Sequence, residues 1–247
     1  MRTDDSKSLK AGFVEIMEAK IFSGELKPGD RLPPERELAV QLGISRGSVN
    51  QGILDMARMG FLRIVPRRGT FVADYVRNAT PETLAAIMSY DSALVDSALF
   101  KDLMELRILI ERECTRLACA NLTPESLEML QKRLEAVFAA SAEDMADEVY
   151  LFHKCITEIS GNAAYAIVFQ SFEKMIRNLI KEHYKDPAEM NGTLPKLGQL
   201  TEAIAQRDAL EAERCMMAIL GPASDYLNEY LKENERRREE SLNSAGL

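Results

Sequence analysis

Two groups of residues in this sequence carry side chains able to do chemistry. The first is Arg36, Ser45, Arg46, Gly47, Ser48 and Asn50, followed by Arg67, Arg68 and Gly69. An arginine guanidinium is a planar fork that donates two parallel hydrogen bonds to a phosphate or to the edge of guanine, and an asparagine amide can read adenine through two bonds. Hydroxyls and uncommitted amides at the start of a helix hold phosphate. These residue types suit a nucleic-acid surface; the bland alternative is a solvated basic patch. The second group is Arg107 and His153, with Asn162 after Gly161 at a helix start. Leu103, Leu106, Ile110, Cys114 and Leu117 form an apolar helical stripe, and Arg107 lies beside it. A guanidinium pointing into a helical bundle needs an anion, because an unpaired buried charge is costly. That anion is either an internal glutamate or a ligand carboxylate or phosphate. His153 sits on the Val149, Phe152 and Ile156 face, as a satisfied core histidine or a pocket-lining one.

For catalysis the sequence offers little. It has no nucleophile elbow, phosphate-binding glycine loop, metal cluster or Cys/His pair of recognisable spacing. The four cysteines, Cys114, Cys119, Cys155 and Cys215, form no Cys-x-x-Cys pair and sit in apolar helical patterns, where cysteine acts as a small hydrophobe. The chain is read as a non-enzyme with no cofactor and no metal.

The elements that must position the first group follow from pattern. Phe13, Ile16, Met17 and Ile21 recur at helical spacing over Leu9 to Phe22. Pro33-Pro34 opens a second helix with Leu38, Ala39 and Leu42 inward, since proline is tolerated in a first turn. Gly43 closes it and Ser45 caps a third helix burying Val49, Ile53, Met56 and Ala57. Phe61 to Val65 and Thr70 to Val72 read as strands joined by the tip Pro66-Arg67-Arg68-Gly69. Three helices and a basic hairpin make a winged helix-turn-helix. Beyond Pro81 the spacing predicts helices only, roughly 81–89, 92–120, 124–140, 142–160, 163–184, 188–206 and 208–232. The fold class is mainly α: an N-terminal winged helix-turn-helix with a small β-hairpin wing, then an antiparallel all-α bundle. Domain bounds are 1–75 for the winged module, 76–81 for a linker, 82–233 for the helical domain and 234–247 for a charged, disordered tail.

Charge divides the same way. Of 247 residues with a net charge of −8, the part through Asn78 holds 13 Lys and Arg against 10 Asp and Glu, and the remainder holds 18 against 29. An acidic total does not exclude nucleic acid when the basic residues are gathered on one module, because phosphate attraction acts over about a Debye length. No stretch approaches the ~20 apolar residues of a membrane span, and the polar N-terminus lacks a signal core. A cytoplasmic location without membrane contact is expected.

The run Pro34-Glu35-Arg36-Glu37-Leu38-Ala39, with Ser45-Arg46 and Arg68-Gly69-Thr70-Phe71-Val72, resembles the GntR family of bacterial transcription regulators. The helical remainder is similar to the effector domain (FCD) of its FadR subfamily through Glu105 to Glu111, Phe152-His153 and Ser160-Gly161-Asn162. The resemblance implies a homodimer on a palindromic double-stranded DNA operator, with Arg36, Arg46 and Arg68 as DNA contacts. It also implies a small anionic effector, an organic acid or an acyl-coenzyme A, in a helical domain that dimerises. Asn50 stands where the family has arginine, which points to a different half-site. Many subfamily members hold a metal through an aspartate and three histidines; here only His153 matches, and Val149, Leu197 and Ile219 fall at the other positions. The run His183-Tyr184-Lys185-Asp186-Pro187, with Gly221 and Ser224, resembles the fatty-acid-responsive member, and Arg107 matches a subfamily arginine that lines or supports the pocket. The alternative is a DNA-binding protein whose helical domain only dimerises.

Overall fold

A computed structural model describes residues 3–89 and 97–221. Ser224, the 234–247 tail and the end of the last expected helix lie outside the described residues. The described chain is mostly helical, with one small antiparallel sheet, and divides into two compact units.

The first unit contains α1 (Thr3–Phe22), α2 (Glu35–Leu42), α3 (Arg46–Arg58), β1 (Leu62–Val65), β2 (Gly69–Val72) and α4 (Pro81–Ser89). Phe13, Met17, Ile21 and Phe22 bury the inner face of α1, while Ile16 turns outward. The packing of α1 on α3 depends on Gly52: a Cβ there would lie 2.2 Å from the Phe13 ring. Between α2 and α3, Gly43 takes a left-handed φ of 65° and its N–H reaches back to the Ala39 and Val40 carbonyls. A left-handed cap of this kind ends a helix sharply, and glycine adopts it without strain. Pro34 is the residue before α2 rather than its first turn.

β1 and β2 pair from Leu62 opposite Val72 to Val65 opposite Gly69. At the tip the Arg68 N–H donates to the Val65 carbonyl at 3.0 Å, and Arg67 has φ 63°. Proline at the first central position and positive φ at the second match a type II turn. A third short segment completes the sheet, with the Leu32 N–H donating to Thr70 and the Val72 N–H to Asp30. Arg31 thereby bridges to Phe71. The division of the chain falls after α4, not at 76–81. The physical tie is Thr83, fully buried, whose hydroxyl donates to the Met59 carbonyl at the end of α3.

The second unit contains α5 (Ser97–Asn121), α6 (Pro124–Ala139), α7 (Met145–Ile159), α8 (Ala163–Ser171), α9 (Glu173–His183) and α10 (Pro187–Ala205), and residues 209–221 are also helical. α7 packs against α5, α6, α8 and α9, so its buried face, Val149, Phe152, His153 and Ile156, sits at the centre. One continuous helix over 163–184 is expected from the pattern, but the chain breaks at Phe172, which is buried and ends α8 as it begins α9. All four cysteines are free and buried, and burial pushes the thiols of Cys114 and Cys155 up to about 11.

Candidate functional sites

The first site is built on the start of α3. The Ser45 hydroxyl oxygen accepts from the Ser48 N–H at 3.0 Å and so orders the first turn. The Ser48 side chain is buried and lies 2.9 Å from Ser45 Oγ. Ser48 is therefore committed to the cap, which corrects its expected place among phosphate contacts. Gly47 is exposed beside that cap. The Arg46 side chain is 74% exposed, and its Nε–H donates to Glu35 Oε2 at 3.1 Å. Half-buried Asn50 donates through Nδ2 to the other oxygen, Glu35 Oε1, at 3.0 Å. Hydrogen bonds from Asn50 and Arg46 hold the Glu35 carboxyl below its usual range.

Arg36 and Arg46 line an open hollow of about 330 Å³ together with Arg31, which pattern reading missed. Arg31 shows no helical periodicity; its place follows from the bridge to β2. Its guanidinium lies over Gly69, where a Cβ would come within 3.0 Å of Nε and where φ is 116°. Arg67 and Arg68 stand exposed at the hairpin tip. The structure thus places the arginines of α2, α3 and the wing in one unit and adds Arg31 and Glu35 to them.

The second site lies inside the helical unit. The buried stripe of α5 runs through Leu103, Arg107, Ile110, Glu111, Cys114 and Ala118, so Arg107 sits on that stripe; Leu106 and Leu117 are only half-buried. Arg107 Nε donates to Glu111 Oε1 at 2.6 Å, and His153 Nδ1 pairs with Glu111 Oε2. Burial alone would raise the Glu111 carboxyl. The charges of Arg107 and His153, and the hydrogen bonds from both, outweigh it and bring it to about 2. The internal glutamate is therefore present, one turn from Arg107.

Next to this triad is a small cavity of about 30 Å³, room for roughly two waters. Its polar wall is Arg107, His153, His183, Tyr184 and Thr193; Val149, Leu179 and Ile219 are among its apolar lining. Burial lowers the His183 pKa and pushes the Tyr184 phenol up to about 12, so Tyr184 keeps its proton. Glu189 lies 3.7 Å from His183 Nε2. No carboxylate lines the cavity.

Val149 and Ile219 face this cavity beside His153, and Leu197 is fully buried. These side chains have no lone pair to give, so the donor set does not fit a metal, which needs about four ligands. Two further expectations change. Asn162 caps α8, accepting from the Ala164 and Tyr165 N–H groups, and does not line the cavity. Gly221 follows the lining residue Leu220 without lining the cavity itself. Glu111 and Thr193 were missed, and His183 stood out only through the resemblance of the 183–187 run. The i, i+4 spacing of Arg107 and Glu111 was the available signal for one of them.

A capped, exposed α3 on a three-helix core, with a basic hairpin beside it, defines a winged helix-turn-helix DNA-binding module. Residues 10–72 match the bacterial regulatory proteins of the gntR family, and residues 102–221 match the FCD domain. The chain belongs to the GntR family of transcription regulators that carry an FCD domain. It is 25% identical over 221 residues to the HTH-type transcriptional regulator LutR of Bacillus subtilis, covering 87% of this chain and 99% of that protein. It is 28% identical over 210 residues to a putative L-lactate dehydrogenase operon regulatory protein of Escherichia coli, covering 82% and 80%. In fold it is similar to the solved structure of Lar, which controls expression of the Listeria monocytogenes agr system. There the TM-score is 0.59 at 18% identity, over 90% of this chain and 96% of that one.

Proposed function

We propose that this protein is a FadR-type regulator that binds an inverted-repeat operator as a homodimer and responds to a small carboxylate held in the helical unit. The observation that carries the effector reading is the composition of the cavity wall. It has one guanidinium and four further hydrogen-bonding side chains, an apolar remainder and no carboxylate. A wall rich in donors favours an anion, which would share Arg107 with Glu111. A volume of about 30 Å³ excludes an acyl chain, and even a compact acid would need the wall to give on binding. The Escherichia coli relative, a putative regulatory protein of an L-lactate dehydrogenase operon, points the same way.

On the DNA side, Arg36, Arg46 and Asn50 would read bases, with Arg31, Arg67, Arg68 and the backbone near Gly47 and Gly69 on phosphates or the minor groove. Selection from a random duplex library tests this and is expected to enrich an inverted repeat. Arg46→Ala should weaken binding to the enriched site at least about thirtyfold, since each bidentate base contact contributes ~1–3 kcal/mol in each of two copies. An Arg46→Ala protein with unchanged affinity at matched salt would refute the assignment.

A further inference from the structure

We infer that Glu35 is a positioning residue that sets the base preference of Asn50. The inference rests on the DNA-reading proposed above. Glu35 is in the first turn of α2, while Asn50 and Arg46 are on α3, and one carboxylate takes a hydrogen bond from each. A carboxylate only accepts, so the Asn50 atom facing it must be the amide nitrogen. That fixes the polarity of a side chain that otherwise turns over at little cost. With one Nδ2–H committed to Glu35, the carbonyl and the remaining N–H are left to face outward. This pair matches the N6 donor and N7 acceptor that adenine shows in the major groove. In the reversed orientation Asn50 would present its nitrogen edge differently and select other bases.

Arg46 responds differently to the same anchor. Its Nε is held at 3.1 Å, which leaves both terminal nitrogens for guanine or phosphate. A guanidinium only donates, so loss of Glu35 frees its position without inverting what it offers. Glu35 also brings negative charge toward a phosphate surface, which lowers non-specific affinity. The geometry therefore gives Glu35 a role in specificity with an opposing effect on overall affinity.

The test uses the full-length chain. Duplexes are selected from a random library by the wild type, and single-base competitors of the enriched site are then measured against wild type, Glu35→Gln and Asn50→Ala. Glutamine is nearly isosteric and can offer either end of its amide, so it no longer dictates polarity. The wild type is expected to prefer adenine at the position that Asn50→Ala renders indifferent. Glu35→Gln should reduce that preference about tenfold, equivalent to ~1.4 kcal/mol. The guanine preference lost in Arg46→Ala should change far less, and affinity for random DNA should hold or rise. An adenine preference within twofold of wild type in Glu35→Gln overturns the inference. Equal weakening at every position does so too, because it marks simple loss of α2–α3 packing. If Asn50→Ala alters no position while a motif is still enriched, only this inference fails. If the wild type enriches no motif, the DNA-reading itself fails with it.

Discussion

At the scale of single residues, both sites are organised by a buried or half-buried carboxylate that holds two partners. Arg46, Asn50, Arg107 and His153 were legible as chemistry-bearing side chains from their type and local pattern. Their anchors were not: Glu35 and Glu111 are ordinary helix-face glutamates by composition, and only the fold brings His153 to the latter. Glu111 gives a pH prediction. Its folded-state pKa is lowered to about 2 from 4.5, so its contribution is complete above pH 4.5 and is lost as pH falls toward 2. Glu111→Gln should flatten the fall in thermal midpoint between pH 5 and pH 2. At neutral pH it should cost ~3–5 kcal/mol, because Arg107 is left buried without a counter-charge. Denaturation across that range checks both signs; an unchanged acid slope would remove Glu111 from the account.

At the scale of elements, α4 and the capped start of α3 were legible from the sequence to the residue, and the two wing strands to within one residue at their starts. The break at Phe172 was not, because no glycine or proline marks it and the apolar period runs through; burial of the ring decides it. The end of α5 was legible to within a residue, but what fastens it was not. Arg207, 85 or more residues from its acceptors, donates to the Cys119, Ala120 and Leu122 carbonyls. It does so from a left-handed backbone with φ 58°. Charged hydrogen bonds contribute ~1.5–3 kcal/mol each in favourable cases, and the left-handed backbone costs a non-glycine residue roughly 1–2 kcal/mol. Chemical denaturation should therefore rank wild type above Arg207→Gly and Arg207→Gly above Arg207→Ala; the reverse order of the two variants would contradict the backbone argument. For the wing, Arg67→Ala with Arg68→Ala should weaken specific and random DNA together and reduce the slope of log affinity against log salt. An unchanged slope would take the wing off the phosphate surface.

For the whole molecule, the charge division and the change from mixed to purely helical pattern made two parts visible in the sequence. The point of division moved past α4 because the Thr83 hydroxyl fastens that helix to α3, a contact no periodicity reveals. The cavity was legible only in part, through Arg107, His153 and the resemblance of the run that holds His183 and Tyr184; its remaining polar lining residue, Thr193, comes from α10. The central claim is that a carboxylate in this cavity changes DNA binding through Arg107. Arg107→Lys tests it best: the ammonium keeps a charge for Glu111, while the fork that would bind the effector is lost. Small carboxylates are titrated into the complex of each protein with its selected operator, and DNA release or tightening is followed by fluorescence anisotropy. The wild type should respond to at least one compact carboxylate, with a midpoint at least tenfold lower than that of Arg107→Lys, and effector-free DNA affinity should match between the two. Equal midpoints in both proteins, or no response of the wild type to any carboxylate, would contradict the account.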